Sequence, residues 1–287
     1  MPELPEVEII KQSLKKTVLF KQIKQVLVKN RNLRFKIQKN FQKKLKNKKI
    51  TKVERRSKYL ILHLNKYQYL IIHFGMSGTL HLLKNFKKNN FTNLSFYQAK
   101  KIPEKHNHVE IFFNNFKLIY NDPRRFGFFI LLFSKKDYLN FFKKKGLEPL
   151  DLKFNSSYIK NKILNKSKNI KNTLLDQKII SGIGNIYANE ILNYSKIKPL
   201  KKTNELNLYE IQSIVKYSKL VIRKAILKGG STIRNFKNSK GLEGSYQNEF
   251  RAYNRNQKKC LNKDCNGVIK RIFISNRSTF FCNKCQN

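Results

Sequence analysis

The sequence predicts an α+β protein: one N-terminal helix ahead of a two-sheet β-sandwich, then a helical region closed by a small cysteine-bearing β-hairpin. Three patterns carry this. Leu4, Val7, Ile10, Leu14 and Val18 recur at helical spacing. From about residue 20 to 133, short runs rich in Val, Ile, Leu and Tyr alternate with turn residues, as in packed sheets. From Ser156 to Lys228 the apolar spacing turns helical again, and all four cysteines follow in the last 28 residues.

With 287 residues the chain could hold one large domain, or two ordinary ones plus a small module. A formal net charge of +45, from 62 basic and 17 acidic residues, favours nucleic acid over acidic small molecules as partner. Lys outnumbers Arg 50 to 12, and Asn, Ile and Phe are abundant, the composition expected of an AT-rich genome. Many lysines are therefore expected to be simply solvated, so the charge does not locate a site. The N-terminus is acidic and lacks the apolar core of a secretory signal. No apolar run approaches the ~18 residues that span a bilayer. A cytoplasmic, soluble protein is expected.

The first helix opens at Pro5, whose missing N–H costs nothing in a first turn. If Met1 is removed, Pro2 presents a secondary amine able to attack an electrophilic carbon and form an iminium link. That amine, Glu3 and Glu6 would sit at the positive end of the helix dipole, which lowers the amine's pKa. Pro and Glu open many helices, so spacing alone does not establish the chemistry.

Lys21–Lys29, Lys49–Leu64 and Tyr67–Leu83 read as strands, with Asn65-Lys66 as a turn. His108–Phe113 and Phe116–Tyr120 flank Asn114-Asn115, a pair that tolerates the positive φ of a hairpin turn. Lys84–Lys101 is polar and reads as a loop, and residues 134–155 read as a transition. His106 and His108 alternate on a strand, so their imidazoles point apart and do not readily share an ion. The glycines around Met76 favour an exposed turn over a buried methionine. Gly182-Ile183-Gly184 opens a helix and would bare backbone N–H groups to an anion. Dinucleotide binding fits poorly, because Tyr187 stands where a third small residue is needed and the preceding segment reads as helix. Cys260-x4-Cys265-x16-Cys282-x2-Cys285 suits one tetrahedral structural zinc ion, each pair on a knuckle and a hairpin between.

Met1-Pro2-Glu3-Leu4-Pro5-Glu6-Val7-Glu8 resembles the N-terminus of the formamidopyrimidine-DNA glycosylase family, bacterial enzymes that excise oxidised purines. The resemblance extends in order along nearly the whole chain: Glu54–Leu60, His73–Gly78, Asn121–Gly127, Leu174–Glu190 and Ser275–Cys282. It implies that Pro2 is the nucleophile, that Glu3 transfers protons, and that Lys58 and Arg277 assist elimination. It likewise implies that Met76 fills the gap left by an extruded base. Arg124 would face the orphaned partner base while Phe126 wedges into the stack. His106, Lys166 and Asn185 would contact DNA phosphates. Residues 229–249 would form a loop over the flipped base, disordered without DNA. The domains implied are a catalytic β-sandwich (1–134), a linker (135–155), a helix–two-turns–helix domain with that loop (156–250) and a zinc finger (251–287).

Two departures stand out. The family usually has Asp where this chain has Asn107, and it commonly spaces its first cysteine pair as C-x2-C. The implied activity is removal of 8-oxoguanine and formamidopyrimidines from damaged double-stranded DNA by a monomeric glycosylase and abasic-site lyase, acting at the bacterial nucleoid. The alternatives are an endonuclease VIII-like enzyme for oxidised pyrimidines and a zinc-finger DNA-binding protein that has lost its chemistry. The presence of Pro2, Glu3, Lys58 and Arg277 favours the enzyme, and Leu4-Pro5 with the Asp122–Gly127 turn favours the purine branch.

Overall fold

The structure is a computed structural model that describes residues 2–84, 91–93, 103–231 and 244–286, apart from the side chains of Lys84 and residues 91–93. Met1, most of the expected 84–101 loop and the middle of the expected 229–249 loop lie outside the described residues. The chain divides into two compact units: Met1–Lys143 with Gly229–Ser245, and Lys144–Lys228 with Tyr246–Asn287.

In the first unit, helix α1 (Leu4–Val18) buries the predicted stripe of Leu4, Val7, Ile10, Leu14 and Val18 almost completely. Burying each such side chain is worth about 2 kcal/mol, so the stripe pins α1 against strands β2 (Ile50–Arg56) and β3 (Tyr59–Leu64). These strands continue into an antiparallel sheet with β4 (Gln68–His73) and β9 (Phe128–Leu132), in the order β2-β3-β4-β9. The second sheet is built from β1 (Gln25–Val28), β5 (Thr79–Lys84), β6 (Phe91–Asn93), β7 (Asn107–Phe112) and β8 (Phe116–Asn121), in the order β1-β7-β8-β5-β6. Two antiparallel sheets behind one helix match the expected fold class.

Four details differ from the sequence reading. A short helix α2 (Phe41–Leu45) interrupts the strand-rich stretch, and β6 falls within the expected loop. Helix α3 (Lys135–Phe142) occupies the expected transition, capped by Ser134, whose Oγ accepts from Asp137 N–H at 3.0 Å. The β7–β8 hairpin is present, but neither Asn114 nor Asn115 takes positive φ. Its ends are held instead by Phe113 N–H donating to Phe116 O and by the stacked Phe113 and Phe116 rings, 4.5 Å apart.

His81 on β5 is buried, with Nε2 2.7 Å from Thr79 Oγ1, and burial lowers its pKa from 6.5 to about 4. The unfolded chain binds this proton near pH 6.5 and the folded chain only near 4. Stability is therefore whole above 6.5 and drains as pH falls between those values. The urea midpoint should report a loss of about 2 kcal/mol from pH 7.5 to pH 5. His81→Gln should flatten that dependence; an unchanged slope would show that another group governs it.

In the second unit, α4 (Ser156–Ile163), α5 (Ile170–Leu175), α6 (Asn185–Tyr194) and α7 (Leu208–Leu227) pack together, and α6 also packs on the C-terminal hairpin β10 (Ile269–Ile274)–β11 (Arg277–Cys282). Ser275 and Asn276, both at positive φ, form the two-residue turn between β10 and β11, whose Ile274↔Arg277 pair closes it. No helix of the described residues is long and apolar enough to cross a membrane.

Candidate active site

The N-terminus of α1 is a buried polar site. Pro2, Glu3 and Glu6 are all buried. Glu6 Oε2 accepts the Glu3 N–H at 2.8 Å, half of the reciprocal bonding that caps a helix start. Its other oxygen, Oε1, accepts from Ser231 N–H at 2.9 Å and Ser231 Oγ at 3.0 Å. One carboxylate thus ties the segment carrying Pro2 to the chain that leads into residues 232–243. Sequence reading placed Glu6 at the start of the helix beside Pro2; Ser231, 225 residues away, carried no local signal.

Lys58 occupies the two-residue turn of the β2–β3 hairpin, between paired Arg56 and Tyr59. A hairpin-tip lysine is ordinarily solvated, yet Lys58 is only 6% exposed. The preceding Ser57 is buried at φ +54°, a conformation that normally favours glycine. Arg55 fixes this turn to α1: its Nε donates to Glu8 Oε2 at 2.9 Å and its Nη1 to Ser57 O at 3.0 Å. Burial raises the Glu8 pKa, but hydrogen bonds from Lys11 and Arg55 outweigh it and hold the carboxyl below its ordinary value.

On the same unit, two turns are stacked backbone to backbone. Gly75 has φ +59°, and a Cβ there would lie 2.3 Å from Phe126 C. A Cβ on Gly127 would meet Tyr120 Oη at 1.7 Å and His73 O at 2.6 Å. This approach groups Met76, Arg124 and Phe126; Met76 and Phe126 are 41% and 42% exposed, large apolar surface left in water. The Arg124 guanidinium lies 4.6 Å from the Phe126 ring centroid.

The organiser is Asp122, fully buried, which sequence reading had only as part of the turn. Its Oδ1 accepts from Ser77 Oγ at 2.5 Å, and its Oδ2 from Gly127 N–H at 2.8 Å and Tyr120 Oη at 3.1 Å. Ser77 Oγ in turn accepts Arg124 N–H at 3.2 Å. The readable signal was an Asp immediately before Pro, the residue type that opens a turn by accepting hydrogen bonds. His106 lies beside the same turn through its backbone, its carbonyl accepting Asp122 N–H at 3.0 Å. Asn107 is buried and its Oδ1 accepts from Asn121 Nδ2 at 2.8 Å, so the amide fills the acceptor role that an Asp carboxylate would have here.

The second unit holds a separate basic cluster. Asn185, the first residue of α6, donates from Nδ2 to Ser278 O at 3.0 Å. Lys171 Nζ donates to the same carbonyl at 3.1 Å and to Thr279 Oγ1 at 2.6 Å. Arg277 is exposed beside them. Burial first and the Arg277 charge second pull the Lys171 pKa down to about 8. Asn185, Lys171 and Arg277 thus converge on β11, whereas Lys166 lies apart, lining a cavity of about 500 Å³ with Thr203 and Ile211. The Gly182 N–H does not face an anion, because Gln177 Oε1 accepts it at 2.9 Å.

The four cysteine sulfurs lie within 4.8 Å of one another, with Cys260–Cys285 at 3.7 Å and Cys265–Cys282 at 3.6 Å. A tetrahedral ion bonded to sulfur at ~2.3 Å sets its sulfurs about 3.8 Å apart, so the four thiols fit a metal ion. The cluster is cemented to α6: Asn189 Oδ1 accepts Phe280 N–H at 2.7 Å, and Asn193 Nδ2 donates to Gln286 Oε1 at 3.0 Å. Glu190, fully buried, accepts the backbone N–H groups of Arg251, Ala252 and Tyr253 at 2.8–3.0 Å.

Residues 1–129 match the family model described as the formamidopyrimidine-DNA glycosylase N-terminal domain, and residues 146–237 match its H2TH domain. Fold and site together define a DNA-repair enzyme, a glycosylase with a helix–two-turns–helix domain and a cysteine cluster. Similar curated proteins include the formamidopyrimidine-DNA glycosylases of a Wolbachia from Drosophila simulans, 41% identical over 288 residues, and of Rickettsia bellii, 40% identical over 287 residues. The first covers 100% of both chains and the second 100% of this chain and 99% of its own. Among solved structures, Lactococcus lactis Fpg with DNA containing an abasic site matches at TM-score 0.86 and 32% identity, covering 99% of each chain. A variant of that enzyme with Fapy-dG-containing DNA matches at TM-score 0.87 and 32% identity over 100% of each. The chain belongs to the formamidopyrimidine-DNA glycosylase family.

Proposed function

We propose that this chain is a bifunctional glycosylase and abasic-site lyase that removes oxidised purines, 8-oxoguanine and formamidopyrimidines, from duplex DNA. The observation that carries the reading is the start of α1: Pro2 and Glu3 are buried and fixed through the Glu6 carboxylate. The full-length likeness to an enzyme solved with Fapy-dG DNA supports the substrate class.

The damaged nucleotide leaves the stack because its C1′ is unreachable inside it. With Met1 removed, the Pro2 nitrogen lone pair attacks C1′. The bond from C1′ to the base breaks and the base leaves with the proton that the Pro2 amine gives up. The C1′–O4′ bond of the sugar then opens, Glu3 gives its proton to O4′, and the nitrogen becomes the iminium of a Schiff base. That cation acidifies the C2′ proton. Its loss expels the 3′ phosphate, and a second elimination expels the 5′ phosphate. Lys58 and Arg277 assist these eliminations, as ammonium and guanidinium groups that bind leaving phosphates. Met76, Arg124 and Phe126 occupy the duplex where the nucleotide was, and His106, Lys166 and Asn185 hold phosphates.

One structural zinc ion is held by Cys260, Cys265, Cys282 and Cys285. When bound it supplies folding energy to the small hairpin module and no reaction step. The domain division proposed is a catalytic sandwich over 1–134, a linker over 135–155, the helix–two-turns–helix region over 156–250 and the zinc finger over 251–287.

The test is borohydride trapping on a duplex with 8-oxoguanine opposite cytosine, followed by peptide mapping. The adduct should map to Pro2. An adduct at Lys58, the rival amine, would overturn the nucleophile assignment. Efficient excision of oxidised pyrimidines with none of 8-oxoguanine would move the chain to the endonuclease VIII-like branch.

A further inference from the structure

We propose that Asn262, inside the lengthened Cys260–Cys265 knuckle, is a positioning residue of the metal site that donates a hydrogen bond across it to the Cys285 sulfur. The proposal rests on the zinc reading above. Three sulfurs receive a backbone N–H from two residues further on: Cys260 from Asn262, Cys265 from Gly267 and Cys282 from Lys284, each at 3.4 Å. Cys285, whose counterpart residue 287 lies outside the described residues, receives the Asn262 side-chain Nδ2 at 3.1 Å. Asn262 therefore touches a sulfur of each knuckle, one through its backbone and one through its side chain.

The orientation of this amide follows from its partners. Arg251 Nη2 donates to one terminal atom at 2.8 Å, and the carbonyl of Asn193 contacts the other at 3.2 Å. Guanidinium can only donate and a carbonyl can only accept, so the first atom is Oδ1 and the second is Nδ2. The two hydrogens of Nδ2 are then divided between Asn193 O on α6 and Cys285 Sγ. At 8% exposure the residue has little water to replace either bond.

Four thiolates around one divalent ion leave an excess of negative charge, which N–H donors stabilise and whose lone pairs they orient. Two inserted residues lengthen the first knuckle beyond a C-x2-C loop, and Asn262 lies within that longer loop. The departure in spacing thus coincides with a cross-brace between the knuckles and to α6.

The test compares the full chain with Asn262→Leu, Asn262→Asp and Asn189→Ala. Asn262→Asp keeps the size and the Arg251 partner while replacing the donor with an anion. Asn189→Ala breaks the α6–β11 bridge without removing any donor to sulfur. Zinc content is measured first, then zinc transfer to the chromophoric chelator 4-(2-pyridylazo)resorcinol. Both Asn262 variants should hold zinc about 10-fold to 100-fold more weakly. With cobalt in place of zinc, their sulfur-to-metal charge-transfer band should shift to longer wavelength, because an unbonded thiolate gives up its electron more easily. Asn189→Ala should lower the melting temperature and leave that band in place. An unchanged band and affinity in both Asn262 variants, or an equal shift in Asn189→Ala, would overturn the proposal while leaving zinc in the site. A zinc-free unaltered chain would overturn the metal reading and this proposal with it.

Discussion

Glu3→Gln is expected to bind lesion DNA almost as tightly as the unaltered chain yet excise the base about 100-fold to 10,000-fold more slowly, the range that positioned proton transfer contributes. Gln is isosteric and can still sit at the buried start of α1, where Glu6 Oε2 accepts its backbone N–H. What it cannot do is give up a proton. An extra residue ahead of Pro2 should have the larger effect, since it converts the nucleophile into an amide nitrogen without a basic lone pair. Borohydride trapping should then vanish altogether. Single-turnover excision and trapping, read beside DNA affinity, separate the two roles. Normal trapping with the N-terminus extended would remove Pro2 from the mechanism.

Asp122→Ala should nearly abolish the grip on lesion DNA without touching a residue proposed to meet it. The change leaves Ser77 Oγ, Tyr120 Oη and the Gly127 N–H without the acceptor they share. Each buried donor left unsatisfied costs about 1–3 kcal/mol, enough to separate the Gly75 and Gly127 turns. Met76, Arg124 and Phe126 then lose their common placement, and affinity for an abasic-site duplex should fall about 100-fold, if roughly 3 kcal/mol of that order is lost. Arg124→Ala, which removes one group from an intact platform, should cost about 10-fold or less. Asp122→Asn should fall between them, because its amide keeps one acceptor. A folded Asp122→Ala protein with unaltered affinity would show that these turns do not form a DNA-binding unit.

Legibility in the sequence followed the range of the physics. The α1 stripe was readable because helical periodicity repeats within 18 residues, and all five predicted positions are buried. The cysteine cluster was readable because metal-ligand spacing is local to each knuckle, and the sulfurs do converge. Asn114-Asn115 was read correctly as a hairpin connection, and the positive φ that the pair tolerates is not adopted. Propensity states what a residue tolerates, whereas the stacked phenylalanines at the hairpin ends determine what it adopts. Helix α3 was missed although Ser134 and Asp137 carry a capping pattern, because only two helical turns follow it.

Periodicity and cysteine spacing thus determined the fold class and the metal-ligand candidates, and the resemblance of ordered motifs to a known family supplied the family and the candidate reacting residues. Tertiary structure alone decided how those residues are held. Glu6 finds Ser231 at a separation of 225 residues, Lys171 finds Ser278 at 107, and Asn262 finds Asn193 at 69. Asp122 and Glu190 became organisers only once burial removed water from their carboxylates and left backbone N–H groups as partners. Apolar patterning is written along the chain, because it depends on which face of a helix or strand a residue occupies. The partner of a buried polar atom is set by whichever distant group the fold brings within 3 Å, and no local sequence pattern encodes that meeting.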